Sequence, residues 1–193
     1  MSGSRLFEHV FCVYPYRRKL SAVGFFPPVG LECIATVIEP HTRTLEIVDL
    51  RKEAGHTKDF LRPDADLVCF SLNWDRDAEF LREEIRSVPP KIFTLVGGRH
   101  ATVDPEHWLI DCPNIDAVVR GDGEEATEEL CRGVPLEKIA GLSFRRDGQI
   151  VYNPILYEAR PVKLKIRLIG SIPPTSSLGR RLSPHKPYWY NTV

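Results

Sequence analysis

Between residues 9 and 152, short apolar runs alternate with stretches of helical period. HVFCVY (9–14) reads as a strand buried on both faces. PVGLECIATVIE (28–39) opens on Pro and Gly and sets Leu31, Ile34, Ala35 and Ile38 on one helical face. TLEIVDL (44–50) and DLVCFSL (66–72) are a second and a third strand. DAEFLREEIRSV (77–88) is a helix with Ala78, Leu81 and Ile85 inward and Glu83, Glu84 and Arg86 largely outward. KIFTLVG (91–97) is a fourth strand. A short helix at 104–111 starts with Asp104 as N-cap and Pro105 at its first position. IDAVVR (115–120) is a fifth strand. GEEATEELCR (123–132) is a helix whose acidic first turn, Glu124 and Glu125, complements the helix dipole. GLSFR (141–145) and QIVY (149–152) flank Arg146-Asp147-Gly148, a hairpin turn signal.

Near-continuous apolar strands separated by helices imply a parallel sheet covered on both faces. Right-handed crossovers then leave an α/β, open, doubly wound five-stranded sheet with a C-terminal antiparallel hairpin. Residues 1–158 form this one domain. Beyond Pro161 the pattern fails. VKLKIRLI (162–169) alternates like an edge strand, and residues 170–193, with four prolines, read as linker or loosely attached tail.

In such a sheet, ligands bind outside the carboxyl ends of the strands. Those ends are unusual here. The first loop, YPYRRKLSAVGFFPP (14–28), is long and aromatic, beginning at Tyr14, and leads into Val29-Gly30. The third strand ends in Ser71-Leu72-Asn73-Trp74, the fourth in Gly97-Gly98-Arg99-His100, and the fifth in Gly121-Asp122-Gly123-Glu124. Two consecutive glycines at the end of a buried strand invite close approach to the backbone. Small residues at 71, 97, 98, 121 and 123 leave a groove that suits a large ligand. A branched side chain at Gly98 is expected to block that groove and spare the fold. Trp74 and Trp108 read as packing residues, with Trp74 also within reach of a ligand at the rim.

Composition narrows the classes. The chain has 193 residues, 42% hydrophobic and 27% charged, with no apolar run long enough for a membrane span and no signal-peptide core, so a cytoplasmic protein is expected. The formal charge of zero divides into −7 for residues 1–158 and +7 for 159–193. The basic tail is expected to fold onto the acidic body or to be disordered rather than to bind nucleic acid. Cys12, Cys33, Cys69, Cys112 and Cys131 show no CxxC spacing, so buried reduced thiols are expected, not a zinc site or a disulfide framework. The histidines have no metal-set spacing. No residue stands out as an acid, base or nucleophile, which leaves the chain as a binding domain with no catalytic or metal-ligating residue assigned.

The ordered set FFPPVGLECIATVI, LEIVDL, DADLVCFSL, KIFTLVGGRHAT, IDAVVRGDGEEATEEL and IAGLSFRRDGQIVYNP resembles the N-terminal cobalamin-binding domain of cobalamin-dependent radical SAM enzymes, over roughly residues 9–155, about three-quarters of the chain. The resemblance implies a Rossmann-like sheet with cobalamin across its strand ends. It implies Ser71 facing the dimethylbenzimidazole tail, Gly97-Gly98 letting the tail pass, and contacts from Tyr14, Val29, Gly30, Leu72, Asn73, Arg99, His100, Gly121, Gly123 and Glu124. It further implies a radical SAM domain as partner, often for methyl transfer.

The departures are specific. The first loop lacks the Asp-x-His-x-x-Gly that supplies a cobalt-ligating His in mutases and methionine synthase. Asp49-Leu50-Arg51 resembles its start but follows the second strand and carries Arg at the His position. Base-off cobalamin without a His ligand is therefore expected. No Cys-x3-Cys-x2-Cys is present, so neither an iron–sulfur cluster nor the barrel that would carry it is expected in this chain. The expectation is a truncated, excised or frame-altered module. A receiver-like or flavodoxin-like interaction or signalling domain is the alternative. Tyr14, Pro15, Ser71 and Asn73 stand where a receiver needs acidic residues and its phospho-acceptor. A dinucleotide enzyme would need a GxGxxG after the first strand, and none is there.

Overall fold

A computed structural model describes residues 7–17, 28–74 and 76–155. The proposed edge strand at 162–169, the tail from 159 and most of the first loop lie outside the described residues.

The chain runs β1 (Phe7–Tyr14), α1 (Val29–Ile38), β2 (Thr42–Asp49), α2 (Thr57–Phe60), β3 (Ala65–Ser71), α3 (Ala78–Arg86), β4 (Phe93–Gly97), α4 (Arg99–Val103), α5 (Pro105–Asp111), β5 (Ala117–Val119), α6 (Glu124–Cys131), β6 (Leu142–Arg146) and β7 (Gln149–Tyr152). The seven strands form one sheet in the order β2-β1-β3-β4-β5-β6-β7. The first five are mutually parallel, and β6 and β7 continue the sheet antiparallel beyond β5. The order reverses between β1 and β3, so right-handed crossovers put α1 on one face and α3 on the other. α6 packs on α1, while α3 is tied to α5 by the Arg82–Asp111 ion pair at 2.7 Å.

β1 and β3 are buried almost throughout, as expected for central strands covered on both faces. Their register shifts between His9 and Val10, and the Asp66 carboxylate fills the irregularity by accepting from Glu8 N at 3.0 Å and His9 N at 3.4 Å. Asp116 does the same at the start of β4, accepting from Thr94 N at 2.7 Å, although burial raises its pKa. Asp147 and Gly148 both take positive φ, 51° and 77°, the geometry of a tight hairpin turn. All five cysteines are buried and free.

Two expectations need correction. Glu84 does not face outward: it is fully buried. Its carboxylate accepts from Thr57 N at 2.6 Å, bonds the His56 ring at 2.6 Å and lies 3.8 Å from the Arg17 guanidinium. These partners satisfy a charge that burial would otherwise disfavour. Residues 99–103, read as loop, form the short helix α4.

His9 is buried in β1, bonded through Nδ1 to Thr44, and its pKa falls to about 4, chiefly by desolvation and then by the nearby Arg62. The folded state holds the neutral ring and the unfolded chain takes up the proton near 6.5. The contribution to stability is therefore complete above pH 6.5 and is lost as pH falls towards 4, at up to about 1.4 kcal/mol per pH unit. Thermal unfolding followed by circular dichroism between neutral pH and mildly acidic pH should show a smaller drop in Tm for His9→Gln than for the parent. Equal drops would contradict this origin.

Candidate functional site

The rim formed by the ends of β3, β4 and β5 is built from backbone contacts. Leu72 N donates to Gly97 O at 2.7 Å and His100 N to Leu72 O at 2.9 Å, so the β3–β4 pairing continues past both strand ends. Gly98 makes this possible with φ of 100°. A Cβ there would lie 2.6 Å from Leu72 O and 2.8 Å from Asn73 Oδ1. Gly98 is required by the protein's own chain, which corrects the expectation that a side chain at 98 would spare the fold. Gly97 differs: a Cβ there would meet only Val119 Cβ, at 3.8 Å, an ordinary van der Waals contact, and Gly97 itself lines the cleft.

Side chains clip the rim together. Asn73 donates from Nδ2 to Ser71 Oγ at 2.9 Å and accepts Arg99 N at 3.3 Å. Tyr16, at the start of the first loop, accepts both Asn73 N and Trp74 N at 2.8 Å and donates to Trp74 O at 3.1 Å. Burial pushes its phenol up to about 12, so it remains a neutral donor. Thr102 Oγ1 links β4 to β5, accepting Gly121 N at 3.1 Å and donating to Gly98 O at 3.0 Å.

Inside this frame lies a cleft of about 420 Å³, within the range of ligand sites. Gly30, Leu31 and Ile34 of α1 form one wall, Gly123 at the N-cap of α6 with Glu124 and Thr127 of that helix another, and Cys69–Ser71, Leu95, Gly97 and Val119 the strand ends. Gly123 lets α6 approach α1, since a Cβ there would lie 3.0 Å from Ile34 Cδ1. Gly30 and Gly121 have nothing within 4 Å of an added Cβ. The walls are largely apolar. Arg99 and Asp122 are exposed at the mouth, and Glu124 is partly buried in the α6 wall.

Of the residues proposed from sequence, Gly30, Ser71, Asn73, Gly97, Gly98, Arg99, Gly121, Gly123 and Glu124 line the cleft. Tyr14, Val29, Leu72 and His100 do not. Tyr14 is buried with the Arg51 guanidinium 4.4 Å above its ring, and Arg51 is held by Asp49 at 2.7 Å. Leu72 is wholly buried and acts through its backbone. The His100 ring packs edge-on against Trp108, 5.5 Å between centroids. Val29 is half exposed beside Gly30. Trp108 is buried, whereas Trp74 is 46% exposed and stands at the rim rather than in the core. Sequence reasoning missed Ile34, Thr102, Val103 and Thr127 as lining residues and the clasp role of Tyr16. Ile34, on the predicted inner face of α1, carried the one usable signal. Among the described residues no cluster of three or more His, Cys, Asp or Glu could hold a metal ion, and no helix is long and apolar enough to cross a membrane.

The order 2-1-3-4-5 of the parallel strands, with a cleft at their carboxyl ends, defines a doubly wound α/β domain whose cleft lies where such folds bind ligands. The family model of the B12 binding domain matches residues 19–131, and the chain belongs to that family. It is 32% identical over 139 residues to an uncharacterized methyltransferase of Pyrococcus horikoshii, covering 66% of this chain and 30% of that protein. It is 28% identical over 158 residues to the cytidylyl-2-hydroxyethylphosphonate methyltransferase of Streptomyces wedmorensis, covering 67% and 29%. Its fold matches that of the radical S-adenosylmethionine methyltransferase TsrM from Kitasatospora setae, solved with cobalamin and a [4Fe-4S] cluster bound, at a TM-score of 0.65 and 18% identity over 83% of this chain and 31% of that one. The chain thus spans about a third or less of the length of these proteins.

Gly98→Val should lower stability by on the order of 3 kcal/mol, through a strained φ and overlap with Leu72, while Gly97→Val stays within about 1 kcal/mol of the parent. Denaturant unfolding distinguishes them, and equal stabilities would contradict the assignment. Tyr16→Phe strands the N–H groups of Asn73 and Trp74 and should cost about 1–3 kcal/mol in the same assay. An unchanged midpoint would remove Tyr16 from the clasp.

Proposed function

We propose that this chain is the cobalamin-holding module of a larger cobalamin-dependent radical SAM enzyme that transfers methyl groups. The observation that carries the reading is the cleft at the carboxyl rim, opened at Gly30, Gly97 and Gly121, in a chain whose residues 19–131 match the B12 binding domain. Its residues fit the cofactor's nucleotide tail. The walls are apolar enough for an aromatic base, backbone is bare where side chains would obstruct it, and the buried Thr127 hydroxyl at the cleft has no protein partner. Bound there, cobalamin supplies a cobalt centre able to accept and pass on a methyl group.

In this reading the chain binds, orients and shields. Gly97 leaves room for the tail between β4 and β5. Ser71, with its hydroxyl oxygen occupied by Asn73, presents its proton to the tail. Arg99, exposed at the mouth, would meet the tail's phosphodiester. Tyr16 and Asn73 keep the rim rigid. A bound cobalt would have no imidazole to take from the first loop, which contains no His; His100 is packed on Trp108, and no described lining residue is a His. The binding domain extends to about residue 158. The [4Fe–4S] cluster and the substrate site belong to the partner domain, and the assembly works in the cytoplasm.

Mixing the purified chain with hydroxocobalamin, desalting it and recording the visible spectrum tests the proposal. Retained corrin bands without the signature of an imidazole-ligated cobalt are expected, with retention weakened at least about tenfold in Gly97→Val, a loss of about 1.4 kcal/mol. A colourless protein that also shows no binding by titration overturns the proposal. An imidazole-ligated spectrum overturns the ligation state alone.

A further inference from the structure

Thr127 is wholly buried and borders the cleft. Its N–H donates to Gly123 O at 2.9 Å in the ordinary helical way. Its Oγ1, however, has no hydrogen-bond partner. Two other helical threonines use their hydroxyls locally: Thr36 donates to Glu32 O at 2.9 Å and Thr102 to Gly98 O at 3.0 Å. Thr127 leaves the equivalent bond to the carbonyl four residues back unmade. Among the described residues, several buried side-chain atoms lack a partner, including those of Thr57, Asn114 and Ser143. Of all such atoms, that of Thr127 alone belongs to a residue lining the cleft. A buried hydroxyl without a partner destabilises the free protein, and such groups in native structures call for an explanation.

Thr127 borders a largely apolar site, and among the described residues its hydroxyl is the one of the three lining hydroxyls that takes part in no hydrogen bond. Ser71 Oγ accepts from Asn73, Thr102 Oγ1 bridges two strand ends, and Arg99 and Asp122 lie exposed at the mouth. A ligand that fills the inner cleft with an aromatic ring therefore has, besides the proton of Ser71, one lining hydroxyl that no protein group engages. Resting on the reading of the cleft as the site of the nucleotide tail, we infer that Thr127 donates a hydrogen bond to a ring nitrogen of the tail's base. The cleft thereby selects corrinoids whose lower base carries a free ring nitrogen, such as benzimidazole or adenine, over those with a phenol in its place. With the base detached from cobalt, that nitrogen has an unsatisfied lone pair, and an apolar wall alone would leave it unpaired. A phenolic lower base bears no such acceptor and would leave Thr127 as unsatisfied as in the free protein. Sites built around a buried hydrogen-bonding group discriminate in this way because the wrong ligand strands the protein's own polar atom.

The test is titration of the full chain, its Thr127→Val variant and its Thr127→Ser variant with hydroxocobalamin, its adenine analogue and a p-cresol analogue, with cobinamide, which lacks the tail, as reference. Thr127→Val should weaken hydroxocobalamin and the adenine analogue about fivefold, the worth of one neutral hydrogen bond. It should leave the p-cresol analogue and cobinamide unchanged, while Thr127→Ser keeps the parent's preference. The free Thr127→Val protein should melt no lower than the parent, since an unpartnered hydroxyl has been replaced by a methyl group. Equal weakening for the p-cresol analogue, or unchanged hydroxocobalamin affinity in Thr127→Val, overturns the inference and leaves the cobalamin reading standing. If the parent binds none of the corrinoids, that reading fails and the inference fails with it.

Discussion

The architecture of the rim depends on one close approach, that of the Leu72 carbonyl to the α-carbon of Gly98. Any side chain at 98 would sit 2.6 Å from that oxygen. Without one, β3 and β4 stay hydrogen-bonded beyond their last regular pair, and α4 starts immediately, with His100 N on Leu72 O. Rim rigidity is thus supplied by backbone, and the space beside Gly97 is left bare. The double glycine answers two demands: position 98 serves the fold, and position 97 keeps the cleft open.

The two ends of the sheet solve their polar problems differently. Where strands begin, carboxylates take over from missing ladder partners, Asp66 under β1 and Asp116 under β4. Where strands end, neutral groups do the work: the Tyr16 phenol, the Asn73 amide and the Thr102 hydroxyl. The buried charge of Glu84 is matched away from the cleft by Arg17, His56 and Thr57 N. The consequence is a cleft whose walls are largely apolar.

The strands were legible because central parallel strands must be apolar on both faces, and HVFCVY and DLVCFSL have no other plausible use. The hairpin was legible because Asp147-Gly148 tolerates two consecutive positive φ values. The general position of the site followed from topology, and Ser71 and Gly97 came with it. Other features depend on partners distant in sequence. Glu84 reads as outward by periodicity, and its burial is made tolerable by groups 27 and 28 residues away. Gly98 reads as a ligand position until Leu72 O is seen against it. α4 carries no amphipathic period in five residues. Thr127 follows the inward-facing period of α6 like its neighbours Ala126 and Leu130, and its lack of a partner is a property of the packed structure alone.

A crystal structure of the chain with hydroxocobalamin measures the central claim most directly. The account requires the lower base to lie in the cleft between the ends of β4 and β5, beside Gly97 and within hydrogen-bonding reach of Thr127, with the cobalt free of any histidine from the described residues. A corrinoid bound elsewhere on the molecule, with this cleft still unfilled, would contradict it.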